Sequence, residues 1–278
     1  MKRAPQDLEA GYRARAIPAG SARHFSWLFA SPEARAPLLG VYALLAEWSA
    51  LMDPASEPTA ARIKLAWWQE EMRRLAAGTP VHPISAYLAA LPRAGAADFL
   101  PLLAAVNAAA AEAGGAPLEH GADLERHAQA LWGDPLALVS RLAGEVADDA
   151  GLRRCTRALA AARYLAKALR GYRREARAGR VPFAVDELLS AGVGNEDLAA
   201  DPPPAHLQDY LDALRVRAAG YFEAAAQALP RAERGRNRHL LILAALGLTH
   251  LHGGTPPHGW RRLQDMLLAW RTARRAHP

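Results

Sequence analysis

Residues 24 to 53 read HFSWLFASPEARAPLLGVYALLAEWSALMD, and the run decides the fold class. Apolar side chains return every third or fourth residue, Ala and Leu dominate, and β-branched runs are scarce, a pattern that forms helix rather than strand. Pro32 and Glu33 sit where a helix begins, and Pro54 closes it. The same pattern continues outward in both directions. It predicts helices over about 22–30, 34–52, 57–77, 82–92, 96–113, 119–131, 134–145, 151–178, 206–229, 235–252 and 260–275, and no strand. Gly78-Thr79-Pro80, Asp201-Pro202-Pro203-Pro204 and Gly253-Gly254-Thr255-Pro256-Pro257 punctuate the series, and none is long enough to separate independent domains. The expectation is an all-α, single-domain bundle of roughly ten helices over residues 21–278, preceded by a flexible segment over 1–20.

Composition narrows the function classes. With 51% hydrophobic and 22% charged residues in 278, the chain has the make-up of a globular domain with a large core. No uncharged apolar run reaches membrane-spanning length, and the first twenty residues lack the apolar centre of a signal peptide, so a cytoplasmic protein is expected, with membrane association left open. A single cysteine, Cys155, rules out an internal disulfide and a multi-cysteine zinc site. The net charge of +6 is spread along helices with no nucleic-acid signature, and no nucleic-acid partner is expected. The excess suits an anionic membrane surface or a phosphate-bearing ligand equally. The histidines show no ligand spacing: His250 and His252 diverge on one helix, and His24, His82, His120 and His127 stand apart. Ser21, Ser26 and Ser49 lack a nucleophile elbow.

Three blocks carry a family resemblance. The first is Arg23, Phe25, Pro32-Glu33-Ala34-Arg35 and Tyr42-Ala43-Leu44. The second runs from Leu65-Ala66-Trp67-Trp68 to Thr79-Pro80-Val81 and on to HAQALWGDPLALVSRL at 127–142. The third is RYLAKALRGYRREARAGRVPFAVDELLSAGV at 163–193. In order and spacing they resemble the squalene and phytoene synthases, which implies an isoprenoid synthase-like fold. The resemblance also implies a prenyl-diphosphate pocket in which two DxxxD helices hold Mg²⁺ ions against the leaving diphosphate. Carboxylates four apart share a helix face and so form a two-point clamp for a hard cation.

Both clamps are half missing. Aligned on Tyr42-Ala43-Leu44, the first motif's leading aspartates fall on Ser49 and Ala50, and an acid remains only at Asp53. Aligned on Gly179-Arg180-Val181, the second motif's leading aspartate falls on Gly171, and Glu175 alone remains. Lys167, Arg170 and Arg174 share a face of that helix at i, i+3 and i+7 and would repel a metal ion. Glu47 with Asp53, Arg170 and the Val181-Pro182 exit are similar to a divergent branch of the superfamily, the mitochondrial complex I assembly factor, for which a role in respiratory-complex assembly is implied.

Two readings follow. In the first, the chain is a non-catalytic family member, a pseudoenzyme, binding a partner protein or an isoprenoid or lipid anion in the former prenyl pocket; it needs no cofactor. Its candidate pocket or anion-binding residues are Arg23, Arg35, Tyr42, Tyr164, Lys167, Arg170 and Arg174. In the second, it is a prenyltransferase making a C30 or C40 isoprenoid with an incomplete Mg²⁺ cluster held by Asp53, Glu175 and Glu47. A third option is a structural module whose pocket has collapsed. Simpler roles stand beside these. Asp53 suits a turn, Glu175 a solvated surface, Trp27, Trp67 and Trp68 the core, Cys155 a helix filler, and Asp148-Asp149 a loop and helix cap.

Overall fold

The computed structural model describes residues 5–96, 98–252 and 258–276, and among them the chain is helical throughout, with one isolated bridge between Leu118 and Ala184. The break at 253–257 and residues 1–4 lie outside the described residues. In chain order the helices are α1 (Pro5–Ala16), α2 (Ala22–Leu28), α3 (Pro32–Leu51), α4 (Pro58–Ala76), α5 (Pro83–Ala89), α6 (Leu100–Ala113), α7 (Gly121–Ala128) and α8 (Asp134–Ala143). They continue with α9 (Asp149–Arg177), α10 (Val185–Ser190), α11 (Asn195–Ala199), α12 (Ala205–Ala228), α13 (Arg231–Arg234), α14 (Arg238–His252) and α15 (His258–Arg275). A π-helical turn, Gln129–Gly133, joins α7 to α8.

Local chemistry sets the boundaries. Pro32 and Pro58 start α3 and α4 at the first helical position, where no N–H is needed. The Glu57 carboxylate accepts the N–H groups of Thr59 and Ala60, and Asp148 caps α9 by accepting from Gly151 N at 2.8 Å. Gly78 ends the turn after α4 with φ of +77°, a conformation open to glycine at no steric cost. Glu71, fully buried on α4, accepts the N–H groups of Val81 and His82 at 3.0 and 2.8 Å. One carboxylate thereby fixes the corner into α5.

The long helix α9 is the axis of the bundle. It packs along α12 and also touches α7, α8, α14 and the π turn, while α3 lies against α1 and α8, and α4 against α6. The largest buried side chains include Trp48, Tyr42, Phe183 and Phe222, and one continuous apolar cluster runs from Ala16 to Ala276. The segment over 1–20 holds helix α1 from Pro5, and Ala16 and Ile17 at its end are buried in the core. Two expectations are corrected. The connector between 178 and 206 contains the short helices α10 and α11. Trp68 is core, but Trp67 is exposed and stacks edge-on against it with centroids 5.2 Å apart. Cys155 is buried, and burial pushes its thiol up to about 12, so it is unreactive at neutral pH.

His239, near the start of α14, is fully buried, and burial pushes its imidazole down to about 3. In the unfolded chain the same group takes a proton near pH 6.5, so protons favour unfolding. Stability is full above about pH 6.5 and falls as the pH drops toward 3, by about 1.4 kcal/mol per pH unit. Denaturant melts of the wild type between pH 7 and 5 should be steeper in pH than those of His239→Gln; equal slopes would show that His239 carries no such term. Gly171, inside α9, has open space where a Cβ would project. Gly171→Ala should therefore raise the unfolding free energy by about 0.5–1 kcal/mol, read as a higher Tm.

Candidate functional site

A cavity of about 400 Å³ opens between α2, the end of α3, the π turn, α9, α12 and α14. The pocket is open, not collapsed. Its cationic wall is α9, where Arg163, Lys167, Arg170 and Arg174 follow one another at i, i+4, i+7 and i+11 and so share one face. Arg23 joins them from α2, whose start is fixed by Ser21 accepting from His24 N at 3.1 Å. Met52, Ala166, Phe222 and Leu243 supply apolar wall, and Asp53, Glu175 and His250 the remaining polar groups.

The retained acids are both engaged. Asp53 Oδ1 accepts from Ala55 N at 2.9 Å, as a turn residue does, and Asp53 Oδ2 lies 3.4 Å from Arg174 Nη1. Glu175 is buried rather than solvated, against expectation, and pairs with Arg180 at 2.7 Å. Arg180 also donates to the Met52 carbonyl at 3.0 Å, so the arginine of the Gly-Arg-Val exit ties the end of α9 to the end of α3. Lys167 is held by Glu112, which also meets His127 at 3.1 Å. Burial pushes the Glu112 carboxyl upward, but hydrogen bonds from His127 and the Lys167 ammonium outweigh that and hold it below its ordinary value.

Arg23 and Arg163 are different. Their guanidinium groups lie 5.6 and 4.9 Å from the Trp132 ring centre, and Arg23 also lies 5.6 Å from the Tyr42 ring. Among the described residues no carboxylate pairs with either, and Arg163 Nε is buried without a hydrogen-bond partner. Burial, with repulsion from Arg23 second, pushes Arg163 down to about 10, which leaves it charged at neutral pH. Burial likewise lowers Arg23. Aromatic faces compensate a half-buried cation only in part, so the pair is a candidate anion-binding position. Trp132 stands on the π-helical turn, a distortion that recurs at functional sites.

Of the other sequence candidates, Tyr42 is buried beneath Arg23 and shares a 2.8 Å hydrogen bond with Ser26, and Tyr164 packs edge-on against His127. Arg35 stands apart from the cavity, donating to the Leu28 carbonyl at 3.1 Å and so closing the turn between α2 and α3. Arg163, Trp132, Glu112, His127 and His250 were not among the candidates. Only Arg163 carried a sequence signal, since it extends the basic stripe by one turn toward the helix start. His250 lines the cavity with both Asp265 oxygens 2.9 Å from its Nε2.

The Mg²⁺ cluster implied by the resemblance needs several free oxygen ligands in near-octahedral array, and these residues do not fit it. Ser49 donates its hydroxyl to Leu45 O, Gly171 offers no side chain, and Asp53 and Glu175 are held by guanidinium groups. Glu47 turns to Arg15 at 3.1 Å. Among the described residues no three acids, histidines or cysteines gather as a metal site.

The fold has solved counterparts. A dehydrosqualene synthase in complex with ligand superposes with a TM-score of 0.71 at 14% identity, covering 98% of this chain and 99% of that one. Squalene synthase HpnC from Alicyclobacillus acidocaldarius superposes with a TM-score of 0.66 at 19% identity, covering 99% and 98%. At these identities the likeness is one of fold, the all-α isoprenoid synthase fold. No curated protein matches the sequence. The sequence pattern of squalene/phytoene synthase matches residues 18–252, which takes in α2 to α14 and every wall of the cavity, and the chain therefore belongs to the squalene/phytoene synthase family.

Proposed function

We propose that this protein binds the anionic head of an isoprenoid or lipid directly through guanidinium groups, without prenyl-transfer chemistry. The observation that carries the reading is the pair Arg23 and Arg163, half-buried over Trp132, with no carboxylate beside them among the described residues. A buried cation costs free energy until an anion joins it, and the surrounding low dielectric then makes the contact strong. The apolar wall of Met52, Ala166, Phe222 and Leu243 suits a hydrocarbon tail on that anion, and the volume is within the ordinary range for ligand pockets, about 300–1,000 Å³.

The synthase reading retains one supporting fact: Asp53 and Glu175 both line this cavity. Against it, ionisation of a prenyl diphosphate requires the leaving group's charge to be met as it develops, and the two acids that would hold Mg²⁺ are occupied by Arg174 and Arg180. The likeness of Glu47, Asp53 and Arg170 to the complex I assembly factor extends the proposal to a ligand-bound adaptor that acts through a protein partner.

Titration with farnesyl diphosphate separates the readings. Binding should be equally tight in EDTA and in Mg²⁺, with no C30 or C40 product. Arg23→Met and Arg163→Met should each weaken it by roughly tenfold or more, the scale of one charge-assisted hydrogen bond. Product formation, or binding that vanishes in EDTA, would establish the synthase reading; absence of binding in either buffer would overturn both.

A further inference from the structure

The last helix, α15, reverses the usual partition of a surface helix. Its inward face is mostly small or polar: Asp265, Ala269 and Ala273 are buried against α14 and α2, with Leu268 alone among its described large apolar residues packed half-buried beside them. Its outward face carries the large apolar side chains. Leu263, Met266, Leu267 and Trp270 are 51%, 38%, 46% and 42% exposed, and their spacing of i, i+3, i+4 and i+7 makes them one stripe. A soluble surface helix places such a stripe on the core; this one presents it to the outside. Contiguous exposed apolar surface of this kind marks a contact.

The rim states what kind of contact. Arg262 borders the stripe on one side and Arg271 and Arg275 on the other, all exposed, while the Arg274 guanidinium lies 4.9 Å from the Trp270 ring centre. The helix has a single acid, Asp265, and that one is buried and turned to His250. The outward face is thus apolar at its centre and edged by arginines, with neutral Gln264 and no exposed acid, the complement of a lipid surface with anionic headgroups. Among the described residues no helix is long and apolar enough to cross a membrane, so the contact is with the surface.

We infer that α15 is a peripheral docking helix for anionic phospholipid bilayers, with Leu263, Met266, Leu267 and Trp270 entering the headgroup boundary and the arginines meeting lipid phosphates. The helices beneath it, α2 and α14, supply Ser21, Ala22, Leu243, Gly247 and His250 to the cavity wall. Docking therefore sets the cavity one helix away from the bilayer, from which a ligand with a hydrocarbon tail partitions. The inference stands on the outer face of α15 and is independent of what the cavity holds.

Co-sedimentation of the full chain with vesicles tests it. Vesicles of phosphatidylcholine and phosphatidylglycerol in equal parts should bind at least tenfold more protein than phosphatidylcholine alone, and added salt should reverse the gain. Leu267→Glu/Trp270→Glu should bring binding down to the phosphatidylcholine level, and Arg271→Gln/Arg274→Gln should lower it severalfold. Both variants change exposed side chains and should melt like the wild type; if the glutamate variant fails to fold, the glutamine variant decides the matter alone. Absence of binding to the anionic vesicles, or unchanged binding by the variants, overturns the inference. It is also overturned if the chain dimerises through this face, seen as self-association lost in the glutamate variant with vesicle binding absent.

Discussion

Charge confinement along one face of α9 is the constraint around which the rest of the molecule is arranged. Arg163, Lys167, Arg170 and Arg174 line the same cavity as Arg23. Arg23 and Arg163 are half-buried, where like charges repel more than in water, whereas Arg170 and Arg174 reach solvent. Acids from neighbouring helices absorb part of the strain: Glu112 from α6 meets Lys167, and Asp53 from the end of α3 meets Arg174. These pairs position helices as well as neutralise charge. Arg180 goes further, bridging buried Glu175 to the Met52 carbonyl and locking α9 onto α3. What is left over is the Arg23 and Arg163 pair on Trp132, which among the described residues meets aromatic faces and no carboxylate. The proposed anion would meet this pair.

Under the proposed function, the family fold meets a phosphate in a second electrostatic way. Carboxylate clamps recruit divalent cations, and the cations meet the phosphate; here the two remaining acids face arginines, and in the proposal Arg23 and Arg163 meet the phosphate themselves. A planar guanidinium holds a phosphate oxygen pair with directed hydrogen bonds but does not concentrate two positive charges on a leaving group as a metal ion does. The proposal of binding without bond cleavage follows from that difference. The outward apolar stripe of α15 fits the same economy, because a ligand with a long hydrocarbon tail is scarce in water and abundant in a bilayer.

Much of the fold was legible from periodicity, because helices of this length bury a repeating face and the repeat is visible in the letters. Prolines and Asp148 marked starts that the structure keeps. Short helices such as α10 and α11 are too brief to show a repeat, and α1 is polar enough to read as a loose end although Ala16 and Ile17 anchor it. Of the site, the stripe from Lys167 to Arg174 was readable as one helical face; whether it looked inward was not, since a buried and a solvated basic face have the same spacing. Glu175 read as a surface acid because its neighbours Arg174 and Arg177 are charged, and only the return of Arg180 across the turn reveals its burial. Trp132, Glu112, His127 and His250 reach the site from three other segments, and such convergence over long sequence separation leaves no local signal. Arg35 sat in a family-like turn and proved to close that turn.

The central claim is that an anion in this cavity is met by guanidinium groups and not by metal. The most direct measurement is a crystal structure of the protein soaked with pyrophosphate and Mn²⁺, with anomalous scattering collected at the manganese edge. The account predicts pyrophosphate oxygens within hydrogen-bond distance of Arg23 and Arg163, with the Asp53–Arg174 and Glu175–Arg180 pairs intact and no anomalous peak between them and the anion. A manganese peak bridging the anion to Asp53 or Glu175, with either ion pair broken to make room for it, would contradict it.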